Sequence, residues 1–140
     1  MFTIDTSNEF GQRVTQRLAD EQVIWLTTTS ADGTPQPKPV WYLWENGTFL
    51  VYSMPDAAKV RHIGRSPRVA LNFNATEHGG DVIVFAGVAE IVPGEPPASA
   101  NAAYIAKYAD GIKSIDMTPE SFAAGYSTAI RITPERVRGF

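Results

Sequence analysis

The stretch PQPKPVWYLWENG, residues 35–47, sets the tightest limit on what this chain can fold into. Pro35, Pro37 and Pro39 fall on alternate positions. Alternate residues of an extended strand direct their backbone N–H groups to the same side, and proline has no N–H to offer. A ladder cannot form on that side. The segment is therefore expected at a sheet edge or a bulge, with ordinary pairing resuming from Val40 to Trp44.

The flanking segments tell where the sheet continues. VIWLTTTS (23–30) is β-branched and aromatic and predicts a strand. ADGTP supplies a turn with Asp32-Gly33 suited to positive φ, and ENGT supplies a second one. TFLVYS (48–53) then predicts the third strand of a set that tight turns make antiparallel. Further strands are expected at RVALNFN, at VIVFAGVAEIV with a bulge or bend at Gly87, and at STAIRIT, with PERVRGF as a short tail strand or extension.

Helices are few. Phe10, Val14 and Leu18 repeat every four residues, with Asp5, Thr6 or Ser7 as cap and Gly11 as a slight weakness. A crossover helix is expected from about Ala57 to Arg65, ended by Pro67. ASANAAYIAKYADGI predicts a helix with Ala102, Ile105 and Ala109 on one side. In TPESFAAGY, Thr118 is placed to cap, Pro119 to open the first turn and Glu120 to follow it. An antiparallel sheet of about six strands with few helices points to a barrel or a sandwich. Residues 1–140 are expected to form one domain, without repeats or linkers.

Composition narrows the function classes. The absence of cysteine excludes disulfides and thiolate metal sites and fits a cytoplasmic setting. No run approaches the ~20 apolar residues of a membrane span, and no secretory pattern opens the chain. A net charge of -3 argues against nucleic acid as the main partner. Yet Lys59, Arg61, His62, Arg65 and Arg68 gather at the one crossover after Ser53. A helix N-terminus exposes unpaired N–H groups and partial positive charge, to which phosphate binds readily. Ser53, Lys59 and backbone N–H groups fit one phosphate. The competing reading is a solvated cationic face near a helix C-terminus.

The string PKPVWYLWENGTFLVYSMPDAAKVRHIGRSPRVALNF (37–73) resembles the flavin and deazaflavin oxidoreductases of the pyridoxamine-phosphate-oxidase-like class. It is most similar to the actinobacterial branch that uses coenzyme F-420, an 8-hydroxy-5-deazaflavin. AKVRHIGRSPRVAL, from Ala58 to Leu71, is the specific part. The resemblance covers about Glu21 to Val92 and returns in the tail. It implies a split β-barrel of six to seven antiparallel strands, and a homodimer with cofactor sites across the interface. It further implies that Lys59 contacts the cofactor phosphate with Tyr52 and Ser53 beside it, and that Lys38, Pro39 and Val40 pass the ring system. Lys38 is alternatively placed to meet the acidic oligoglutamate tail. Ala58 stands where the pyridoxamine-phosphate oxidases carry an arginine, a departure that favours F-420 over FMN. Trp25, Trp41, Tyr42, Trp44 and Phe49 suit an interface, or else alternate members face the core.

The function so implied is hydride transfer from the reduced cofactor to an activated double bond or quinone-like small molecule. The hard chemistry belongs to the cofactor, so neither a triad nor a metal is needed. His62 is expected to pack on its helix and His78 to lie in a loop, while Glu77 and Asp81 solvate that loop. A proton would come from solvent or Tyr52. The rivals are an FMN oxidoreductase, a non-catalytic binder of deazaflavin, haem or a linear tetrapyrrole, and a ligand-free structural dimer.

Overall fold

The computed structural model describes residues 2–140. Seven strands, β1 (Val23–Thr29), β2 (Pro35–Trp41), β3 (Leu43–Glu45), β4 (Thr48–Ser53), β5 (Arg68–Asn72), β6 (Ile83–Ile91) and β7 (Thr128–Gly139), form one sheet. Its order is β2-β1-β5-β6-β7-β4-β3, and every neighbouring pair is antiparallel. With helices α1 (Glu9–Asp20), α2 (Ala58–Arg65), α3 (Ala102–Ser114) and α4 (Pro119–Gly125), this is the split β-barrel.

The prolines explain the edge. β2 pairs with β1 alone, from Val23 opposite Trp41 to Thr29 opposite Pro35, so its N–H-less side faces no ladder. Asn46 and Gly47 both take positive φ in the β3–β4 turn, as a tight hairpin of this twist requires. Gly87 marks a bulge: Gly87 faces Pro134 and Ala86 faces Arg136, leaving Glu135 extra. A Cβ at Gly87 would lie 2.4 Å from the Thr133 carbonyl oxygen. The tail is the extension of the last strand and not a separate one, because β7 runs unbroken through Pro134 to Gly139. Proline is tolerated there because it sits at the bulge, and β4 pairs only as far as Ile132.

Two apolar clusters hold the molecule together. One fills the barrel, with Ile24, Leu26, Phe49, Val51, Leu71, Phe85, Ile130 and Ile132 among its members. The other lies outside the sheet under α3 and α4, and includes Leu50, Tyr52, Tyr104, Tyr108, Ile112 and Phe122. β4 serves both, which is why five of its six residues are buried rather than alternate ones.

Local details correct three expectations. Asn8, not Asp5, Thr6 or Ser7, caps α1 by accepting from the Gly11 N–H at 2.8 Å. Gly11 is required rather than weak, since a Cβ there would come within 1.7 Å of the Asp5 carbonyl oxygen. α3 buries Tyr104, Tyr108 and Ile112, while Ala102 and Ala109 are exposed. The large aromatic side chains decide the buried stripe, because they remove far more area from water than alanine does. In α4, Thr118 and Ser121 form a reciprocal capping box with Pro119 at the first position.

Candidate functional site

A cavity of about 530 Å³ opens where β2, the end of β4, and α2 converge. Lys38, Pro39, Val40, Tyr52, Ser53 and Lys59 border it, so six of the seven anticipated residues come together. Ala58 does not border it; it is exposed, while its neighbours Ala57 and Lys59 line the cavity. β4 delivers Tyr52 and Ser53 to the rim because its pairing with β7 ends at Ser53. α2 then starts at Ala58 with no side-chain cap and no acidic residue in its first turn. The uncapped helix start and Lys59 therefore put positive potential on one wall.

Lys59 is half buried, and its pKa is lowered, first by burial and then by the charge of Lys38. A neighbouring cation disfavours the protonated form of Lys59. Among the described residues neither lysine has a carboxylate partner, whereas Arg13, Arg17, Arg68 and Arg131 all do. The other crossover cations are spent elsewhere. Arg61 donates to the Asp56 carbonyl, Arg68 pairs with Glu135 on the surface, and Arg65 is exposed. His62 Nδ1 lies 2.8 Å from the buried Thr28 hydroxyl and packs the helix onto β1, as expected of it. His78 is in the exposed loop between β5 and β6.

Two hydroxyls at the rim are already engaged. Tyr52 donates to the Pro96 carbonyl at 2.8 Å, and burial raises its pKa, so it is not poised to release a proton. Ser53 donates to the Met54 carbonyl at 3.0 Å, leaving its oxygen to accept. Asp81, expected to solvate its loop, instead binds Arg13 and Arg17 of α1 at 2.6 and 3.2 Å.

The rest of the lining is largely aromatic. Trp41 stacks with Tyr108, with centroids 4.7 Å apart, and with Phe122, at 5.5 Å. Trp41, Tyr104, Phe122 and Tyr126 all border the cavity. Its mouth is apolar: Val23, Met54 and Ile115 line it and are 38%, 45% and 45% exposed. The sequence reading missed this wall. Its signal was the four-residue spacing of Tyr104 with Tyr108 and of Phe122 with Tyr126, which puts each pair on one helix face. A cation-lined end and a flat aromatic end together suit a planar ligand with an anionic arm.

Comparisons with solved structures agree on the fold. An F-420 reductase superposes with a TM-score of 0.66 at 22% identity, covering 88% of this chain and 94% of that one. A FAD-binding protein from Mesorhizobium loti gives 0.65 at 21% identity, covering 88% of each chain. The heme storage protein HutZ from Vibrio cholerae gives 0.64 at 15% identity, covering 91% and 92%. No curated relative matches. The family model for pyridoxamine 5'-phosphate oxidase matches residues 10–140. Nearly the whole chain is accounted for by that match, and the chain belongs to the pyridoxamine 5'-phosphate oxidase family.

Proposed function

We propose that this protein is a coenzyme F-420-dependent oxidoreductase that passes hydride to an activated double bond or a quinone-like small molecule. The observation that carries the reading is the pair Lys38 and Lys59, set on one cavity without a carboxylate partner among the described residues and facing an aromatic wall. Such a pair invites a polyanion. Lys59 and the uncapped start of α2 would hold the phosphate, and the Ser53 hydroxyl would turn from the Met54 carbonyl to donate to it. Lys38, exposed on β2, would meet the acidic tail that distinguishes F-420 from FMN. Bound and reduced, the deazaflavin supplies the hydride. Trp41, Phe122 and Tyr126 would exclude water from the ring and orient it.

Likeness to an F-420 reductase and to a FAD-binding protein supports a flavin-type ligand. FMN on the same cavity is the second reading, and Ala58, offering no cation, weighs against it. Haem gains less support, because His62 is turned to Thr28 and neither histidine borders the cavity. The exposed apolar mouth of Val23, Met54 and Ile115 supports a homodimer in which a second copy covers part of the site.

Titration of the protein with F-420 and with FMN tests the proposal. Tighter binding of F-420 is expected. Lys59→Ala is expected to weaken it about ten-fold or more, as loss of a charge-assisted hydrogen bond of about 1.5–3 kcal/mol implies, with the fold intact. Preference for FMN, or no binding of either, defeats the reading.

A further inference from the structure

Four of the five tyrosines are buried: Tyr42, Tyr52, Tyr104 and Tyr108. Three have their hydroxyls engaged. Tyr42 donates to the Leu18 carbonyl at 2.8 Å and Tyr52 to the Pro96 carbonyl at 2.8 Å. Tyr108 lies 2.7 Å from the Gln22 carbonyl and accepts from the Tyr42 N–H at 2.8 Å. Tyr104 is the exception. It is fully buried, and its hydroxyl has no partner among the described residues. The residue also borders the cavity, beside Phe122 and Tyr126, with the hydroxyl itself closed off from solvent, so a ligand reaches it only where the neighbouring rings part.

A buried hydroxyl without a partner destabilises the fold that holds it. A phenylalanine at this position would pack the same ring against Tyr52 and Tyr108, whose centroids lie 5.0 and 4.8 Å away, without that cost. A partner from outside the chain would remove that cost. Burial and the neighbouring tyrosines hold its pKa well above the usual phenol value, so it acts as a donor and not as a base. The wall around it is flat and apolar, which selects a planar conjugated ring rather than a second charged group.

We propose that the Tyr104 hydroxyl donates a hydrogen bond to a ring carbonyl oxygen of a planar ligand seated against the aromatic wall of the cavity. This rests on the reading of the cavity as a ligand site. Deazaflavin, flavin and quinone rings all carry such a carbonyl, and three probes separate them: F-420, FMN and menadione, a quinone without phosphate. Binding to the wild type, Tyr104→Phe and Lys59→Ala is followed by quenching of tryptophan fluorescence, since Trp41 borders the cavity. Thermal midpoints are measured without ligand.

Tyr104→Phe is expected to keep or raise the midpoint of the free protein and to weaken at least one probe about ten-fold. Loss on F-420 or FMN assigns the carbonyl to the cofactor ring, and loss on menadione alone assigns it to the substrate. Lys59→Ala is expected to weaken only the phosphate-bearing probes. The proposal falls if Tyr104→Phe binds all three as the wild type does, if its midpoint drops by several degrees, or if the wild type binds none. Tight binding of F-420 by the wild type, with all three probes bound equally by Tyr104→Phe, would leave the proposed function standing and overturn this inference. Tyr104-dependent binding of menadione by a wild type that binds neither F-420 nor FMN would do the reverse.

Discussion

Phe49 and Leu50 are neighbours in β4, yet they face different materials. Phe49 points into the barrel, where its ring meets Tyr42, Trp44 and Phe85 at 5.6, 4.8 and 5.1 Å. Leu50 points outward to the layer built by α3 and α4, with Tyr52, Tyr104, Tyr108 and Phe122. The barrel side is mostly aliphatic and phenylalanine. The outer layer is rich in phenols, each of which must find an acceptor, and the cavity opens there. The difference suggests a division of labour. The barrel is a rigid mount, and the helical layer carries what a ligand would be recognised by.

The sharpest way to break that division is to remove Phe49. Phe49→Ala should cost about 3–5 kcal/mol, because a closed barrel interior cannot collapse onto the hole. Phe122→Ala borders existing empty space and should cost roughly 2 kcal/mol or less. Urea denaturation of the two variants decides it, and equal losses would mean that the layers are equally rigid. Gly87→Ala comes next. The added methyl would meet backbone at 2.4 and 2.9 Å, at the Thr133 oxygen and Pro134 Cα, so a loss of about 1–3 kcal/mol is expected. A smaller loss would show that the bulge yields.

Tyr108→Phe sharpens the comparison within the layer. It leaves the buried Tyr42 N–H without its acceptor at 2.8 Å and should cost about 1–3 kcal/mol. Tyr104→Phe, one helical turn away, removes a hydroxyl with no internal partner and should cost nothing. Thermal melts of the pair would sink the contrast if both fell alike.

The two sides also differed in how readable they were. β-Branched and aromatic runs bounded by turn residues make the strands plain, and three alternate prolines place β2 at the edge. Lys59, Ser53 and Lys38 were found through a motif and do meet at one cavity. The helical layer was read on the wrong face, because Ala102, Ile105 and Ala109 are apolar at the right spacing and the aromatic stripe is too. Spacing alone cannot rank two stripes; buried area does. Tyr104 was invisible for a further reason. That a hydroxyl lacks a partner follows only from where every neighbouring acceptor ends up, which spacing along the chain does not encode.

The smallest effect tests the layer's charge. Lys107 Nζ donates to the Tyr42 carbonyl at 3.0 Å and lies 3.6 Å from the centre of the Tyr42 ring. Burial pulls its pKa down to about 8 from an unfolded value near 10.5. Between those values the unfolded chain holds a proton that the folded chain lacks, so stability should rise with pH. Burial moves Tyr42, Tyr104 and Tyr108 the other way, well above their ordinary 10. Past pH 10 the unfolded phenols ionise while the folded ones keep their protons, and stability should fall. Urea midpoints measured from pH 7 to pH 11 should therefore climb shallowly from about pH 8 and then drop beyond pH 10. Lys107→Met should remove most of the climb, leaving the share that Lys59 contributes, and keep the drop. A decline that begins at pH 8 would mean that the Tyr42 ring face favours the ammonium more than burial opposes it. In that case Lys107 would be a cation held by the layer, and the phenols' π faces rather than their hydroxyls would be its dominant electrostatic feature.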